Sequence, residues 1–122
     1  MKAWNRESRE LKLRYDMKRA EINLEYSTRQ VQLSHSIDMA RNRVHYLAQT
    51  LRQPGADLES VKTKLDGAIE RLREMNLEKV KLDYERKNAI VALDRQRNAE
   101  IDALETKYGV NLDDNREEVL AV

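Results

Sequence analysis

The sequence predicts an all-α protein: a long antiparallel two-helix hairpin, a coiled coil with hendecad repeats, assembled into a helical bundle. Three observations predict it. The first is an eleven-residue repeat through the first half, LKLRYDMKRAE, INLEYSTRQVQ, LSHSIDMARNR and VHYLAQTLRQP over residues 11–54. The second is one sharp break near the middle, Pro54-Gly55. The third is composition: 40% apolar and 37% charged, with no Phe, one Pro and three Gly in 122 residues. An average domain carries roughly 25% charged residues. Such a chain buries long seams and not a wide core, which fits a single domain.

The repeat sets the first element. Its first column is Leu11, Ile22, Leu33 and Val44; its fifth is Tyr15, Tyr26, Ile37 and Ala48, with Trp4 preceding them in phase. Eleven residues make almost three helical turns, so the apolar stripe drifts only about 20° per repeat. A helix is therefore expected over 4–53, with a nearly straight or slightly right-handed seam. Pro54-Gly55 ends it, giving a turn over 54–57. Asp57 reads as the N-cap of a second helix over 58–108, with Glu59 in its positive first turn. Gly109 fits a left-handed C-terminal cap, with Val110 folding back on Leu104. Each helix is then ~75 Å long, and the short connection forces them antiparallel.

The second helix opens on heptads, Leu58, Leu65 and Leu72 alternating with Val61, Ala68 and Met75. It then changes to elevens, Leu82, Leu93 and Leu104 with Ile90, Ile101 and Leu112. Gly67 inside it costs ~1 kcal/mol relative to Ala, which the surrounding pattern outweighs. The expected seam sets Leu11, Tyr15, Ile22, Tyr26, Leu33, Ile37 and Val44 against Leu65, Leu72, Met75, Leu82, Ile90, Leu93, Ile101 and Leu104. The hairpin domain thus covers 1–110, followed by an acidic tail or short helix over 111–122.

Charge is unevenly spread around a net +1. Residues 1–54 carry eleven Lys/Arg against six Asp/Glu, whereas residues 109–122 carry one against four. The tail acids Asp113, Asp114, Glu117 and Glu118 are expected near the basic start of the first helix, in the same chain or a neighbour. Carboxylates elsewhere fit same-helix pairs such as Glu10–Arg14, Glu25–Arg29 and Asp83–Lys87.

A two-helix hairpin needs one apolar stripe per helix, and this chain has more. Leu13, Met17, Leu24 and Val31 lie roughly opposite the seam of the first helix; Leu77, Val80, Tyr84 and Val91 lie opposite that of the second. Contiguous exposed apolar surface marks an interaction site. These eight residues are the candidate partner interface, at the level of both termini. The turn half, around 40–70, is expected to be one-sided.

Signals for chemistry are absent. Neither His35 nor His45 has Glu three residues before it, so the Glu-x-x-His pair of di-iron bundles is missing. There is no Cys, no Gly-rich phosphate loop and no nucleophile elbow around any Ser. We therefore expect no catalytic, cofactor or metal site. The basic residues Lys2, Arg6, Arg9, Lys12, Arg14, Lys18, Arg19, Arg41, Arg43 and Arg52 are interrupted by Glu7, Glu10, Asp16 and Glu21, which breaks a phosphate-tracking stripe. The longest apolar run, Ala89 to Leu93, is far short of the ~20 residues of a membrane span. MKAWNRESRE lacks the apolar stretch of a signal peptide, so a soluble, intracellular protein is expected.

The functional expectation is a structural, assembly or adaptor protein acting through helix–helix packing in a larger complex, by self-association or on a larger partner. The alternatives are a nucleic-acid-associated protein using the basic first helix, and a small module that sequesters a partner's helix.

Overall fold

The computed structural model describes residues 3–110. They form two helices, α1 (Ala3–Leu51) and α2 (Leu58–Tyr108), packed antiparallel as an all-α hairpin. The tail over 111–122, and its expected pairing with the start of α1, lie outside the described residues.

The ends of both helices follow from local chemistry. α1 stops two residues before Gln53 because proline disfavours a helical residue in front of it. The Arg52 and Gln53 N–H groups donate to the carbonyls of Gln49 and Thr50, 3.1 Å each, tightening the last turn. Gly55 then takes φ +79°, a left-handed value that glycine adopts without a Cβ clash. Asp57 caps α2: its carboxylate accepts from the Ser60 N–H at 3.3 Å, and its carbonyl accepts from Val61 at 3.0 Å. At the far end Gly109 has φ +64° and the Val110 N–H donates to the Glu105 carbonyl at 3.1 Å. That bond belongs to a Schellman cap. It turns Val110 back onto the core cluster that Leu104 also packs against.

Packing divides the hairpin into two units. Unit 1 is Met1–Leu24 with Arg86–Val122, described over 3–24 and 86–110; unit 2 is Glu25–Glu85. The physical reason is that each side chain between two antiparallel helices meets only neighbours at its own level. No central core gathers distant residues.

In unit 1, Leu11, Tyr15, Leu93 and Ile101 form a buried cluster, with Trp4, Ile22, Leu104 and Val110 packed around it. Ser8 is buried on the same face of α1. Polar bonds between the helices line the margins. Arg14 pairs with Glu100, Arg19 with Asp94 at 2.5 Å, and Lys107 with Glu7 at 3.3 Å. The Arg86 guanidinium donates twice to the Asn23 side-chain oxygen, at 3.2 and 3.0 Å. The expected same-helix partners of Arg14 and Arg29 thus give way to acids on the other helix, since Arg29 pairs with Glu85 at 3.5 Å in unit 2. Asp83 accepts from Gln30 at 2.6 Å. A long guanidinium at the seam margin reaches a carboxylate across the interface as readily as one a turn away along its own helix. These half-exposed pairs contribute about 0–1 kcal/mol each; their larger effect is to favour one register.

In unit 2, Ile37, Leu47, Ala68 and Leu82 are buried. Tyr26, Leu33, Val44, Leu65, Leu72 and Met75 are half-buried. Toward the turn the covered positions on α1 are Ile37, Ala40, Val44, Leu47 and Leu51; on α2 they are Val61, Leu65, Ala68, Leu72 and Met75. Both sets alternate steps of three and four. Leu47 is therefore more deeply covered than Ala48, the residue singled out by the eleven-residue repeat. Leu58, which opens the heptads, is 60% exposed. It stands at the first position of α2, and α1 has already ended at Leu51, so no helical turn lies opposite it.

Three outcomes follow. Ile101→Ala is expected to cost ~2–5 kcal/mol as a large-to-small change at a buried site. Leu33→Ala, at a half-buried site, costs less. Urea titrations that show equal losses contradict this ranking. Gly67 has ordinary helical backbone and nothing within 4 Å of where a Cβ would stand. Gly67→Ala should therefore stabilise the fold by ~0.5–1 kcal/mol; a lower melting temperature contradicts that.

The third outcome concerns Tyr15. Burial, a hydrogen bond to Glu100 and the charge of that carboxylate raise its hydroxyl above the ordinary 10.0, against an opposing pull from Arg14. The fold thus favours the neutral phenol. Its stabilisation is complete below pH ~10 and is lost as pH climbs through the raised value. Thermal stability should fall above pH ~10, and Tyr15→Phe should flatten that fall. An unchanged alkaline slope in Tyr15→Phe contradicts the assignment.

Candidate functional site

Each of the eight candidate interface residues is two positions from a residue of the seam. Leu13 and Met17 flank Tyr15, Leu24 sits between Ile22 and Tyr26, and Val31 precedes Leu33. On α2, Leu77 follows Met75, Val80 and Tyr84 flank Leu82, and Val91 precedes Leu93. Two residues along a helix turn the side chain by about 200°. The seam residues are buried or half-buried, so the eight project from the outer faces, away from the opposing helix. Their exposures run from 46% at Val91 to 70% at Leu24 and Val31.

Unit 1 carries Leu13, Met17 and Leu24 on α1, with Val91 on α2. Unit 2 carries Val31 on α1, with Leu77, Val80 and Tyr84 on α2. Within each unit the two helices present these residues in opposite directions. Within each unit they therefore lie on two outer faces, one per helix. Exposed apolar side chains also continue into the turn half, contrary to the expectation of a one-sided surface there: Met39, Tyr46, Leu58 and Ile69 are all exposed. Periodicity finds which residues leave the seam, but it does not say that the two outer faces point apart until the helices are docked.

A second surface feature escaped the sequence reading. In unit 2 an open groove of about 630 Å³ is lined by Ser36, Met39, Ala40, Arg43, Lys64, Gly67, Ala68, Arg71 and Met75. Small residues from both helices leave the space. Arg43, Lys64 and Arg71 supply its charge, and no carboxylate is among its lining residues. The signal available in the sequence was Gly67 itself, a helix breaker retained inside a strong helical pattern.

Side chains with reactive potential are scattered. His35 and His45 are both exposed. His35 and Asp38 share a shallow depression with Ser27, Gln30, Val31 and Ser34. Among the described residues no three His, Cys, Asp or Glu side chains converge as a metal site would require. Titration is perturbed at Tyr15, for the reasons above, and at Lys107, whose ammonium is raised chiefly by its hydrogen bond to Glu7. Tyr15 is raised first by burial and then by Glu100, and Lys107 by Glu7 across the seam and by Tyr108 beside it. Several members of the basic series are engaged by acids: Arg14, Arg19 and Arg41 form ion pairs with Glu100, Asp94 and Asp38. Lys18 lies 5.0 Å from the Tyr15 ring centre. No helix among the described residues is long and apolar enough to cross a membrane.

Compared with known proteins, the chain matches no family model, no curated protein and no solved structure.

Proposed function

We propose that this chain is a non-enzymatic coiled-coil structural protein, an assembly or adaptor component that acts through helix–helix packing in a larger complex. The observation that carries the reading is the set of outward apolar side chains in each unit, Leu13, Met17, Leu24 and Val91 in unit 1 and Val31, Leu77, Val80 and Tyr84 in unit 2, all exposed outside the seam. Each such side chain contributes about 1.5–3 kcal/mol when fully transferred from water. Even partial burial of the four in one unit offsets an association cost of several kcal/mol.

The eleven-residue spacing extends to these faces. Leu13 and Leu24 stand eleven apart, as do Ala20 and Val31, and Val80 and Val91. A neighbouring helix of matched, nearly straight pitch therefore stays in contact over several turns. Because the two faces point apart, each takes its own covering helix. One face closes a two-fold dimer; using both builds a ring or an extended array, or brackets the hairpin within a larger partner. The nucleic-acid reading draws less support, since arginines on the basic helix are held by acids.

The test is sedimentation of the full chain at tens of micromolar, with Leu24→Glu, Val80→Glu and the pair together. The unmodified chain should sediment as an oligomer or be recovered from its native cell with a partner. Each single change should weaken the association and the pair should abolish it, with helical circular dichroism unchanged. A folded, strictly monomeric chain that recovers no partner contradicts the proposal. Tight binding to duplex DNA or RNA with a steep salt dependence moves the assignment to the nucleic-acid class.

A further inference from the structure

We propose that the outer face of α1 in unit 1 takes the outer face of α2 in unit 1 of a second copy, head to tail and antiparallel. The inference rests on the assembly reading above and names its partner: another molecule of the same chain, bound through unlike faces.

On α1 the face runs Arg6, Glu10, Leu13, Met17, Ala20 and Leu24, in steps of four and three. On α2 it runs Lys87, Val91, Arg95, Asn98 and Asp102, again in steps of four and three. Such steps keep side chains on one face of a helix, and all of these are exposed. The apolar residue amid the charges has opposite surroundings on the two helices. Leu13 stands three residues from Glu10 and three from Asp16, which is also exposed. Val91 stands four residues from Lys87 and four from Arg95. Among the described residues none of these charges enters an ion pair, whereas Arg14, Arg19 and Lys107 are tied across the seam.

The charges decide which faces meet. Two copies joined α1 to α1 around Leu13 set carboxylates against carboxylates. Joined α2 to α2 around Val91, they set cations against cations. Like charges facing each other work against both pairings. Joined α1 to α2, Leu13 covers Val91 while Glu10 and Asp16 meet cations. These exposed pairs select the partner more than they hold it; Leu13, Met17 and Val91 supply the apolar area.

Asp102 selects the direction. With Leu13 on Val91, a parallel pairing lays Asp102 against Leu24, a carboxylate desolvated by an aliphatic side chain. The antiparallel pairing lays Asn98 against Arg6 and leaves Asp102 four residues, ~6 Å of helix, beyond that long guanidinium. It sets Glu10 beside Arg95 on one flank and Asp16 beside Lys87 on the other, with Arg9 on the flank away from Arg95. Because the two outer faces of the unit point apart, each copy offers α1 to one neighbour and α2 to another. The copies then form a ring or an open row.

The test uses full-length chains, sedimented at tens of micromolar. One variant carries Glu10→Lys with Asp16→Lys, the other Lys87→Glu with Arg95→Glu. Each alone has like charges on both faces and should lose at least tenfold in self-association, with helical circular dichroism unchanged. Mixed in equal amounts they should recover it, because each complements the other on both sides. The chain has no cysteine, so introduced thiols report direction without background. A batch with Asn98→Cys should form interchain disulfides at least tenfold faster with an Arg6→Cys batch than with an Ala20→Cys batch, the position that a parallel pairing sets opposite. The proposal is overturned if either charge variant, folded, associates as the unmodified chain does, if the mixture stays dissociated, or if Ala20→Cys couples as fast as Arg6→Cys. A monomeric unmodified chain overturns it too; a cellular partner that is lost on Leu24→Glu then leaves the assembly reading standing without it.

Discussion

Two helices packed against each other can cover only one face of each, and everything else in this structure depends on that limit. The seam takes Leu11, Tyr15, Ile37, Leu47, Ala68, Leu82, Leu93 and Ile101, and these are the apolar residues that end up buried. The limit also explains the loss of a single core. Contacts are made level by level, so the chain packs as two units, each with its own buried residues and its own ties between the helices. In unit 1 a hydrophobic cluster is bordered by Arg14–Glu100, Arg19–Asp94 and Lys107–Glu7. In unit 2 the buried residues stand farther apart, and small side chains leave an open groove.

The seam was legible because a repeat of eleven locks burial to helical period. All fifteen residues assigned to it from sequence are buried or half-buried. The caps were legible because they are chemistry within five residues: Pro54, Gly55, Asp57 and Gly109 each act on their immediate neighbours. Contacts that depend on rotation and register between helices were not legible. Arg14 has Glu10 four residues away in sequence, and only the docked helix supplies Glu100. Leu47 and Ala48 are adjacent, and the spacing of steps on α2 decides which one is covered. The groove is a difference between two surfaces and has no signature on either helix alone, apart from an unexplained Gly67.

The same limit carries the functional reading. A fold that can hide one face per helix, built from a sequence with two apolar stripes per helix, leaves the second stripe exposed. The two outer faces point apart within each unit. That geometry suits a component held between neighbours better than a simple pair. In unit 2 the groove adds a surface of different character, cationic and shaped by small residues. Long apolar faces supply area, whereas the charges beside them supply direction. On the proposed reading, the chain acts through these surfaces.

Methionine oxidation tests the central claim most directly, because the chain carries its own reporters. Met17 lies on the outer face of α1 and Met75 on the seam of α2. Peroxide labelling of the native protein, read residue by residue by mass spectrometry, should find Met17 protected at tens of micromolar and progressively oxidised on dilution, with half-buried Met75, which lines the groove of unit 2, read alongside it. If Met17 reacts at the rate of a free methionine at every concentration, and equally fast in native cell extract, the outer face is uncovered and the account of this chain as an assembly subunit is contradicted.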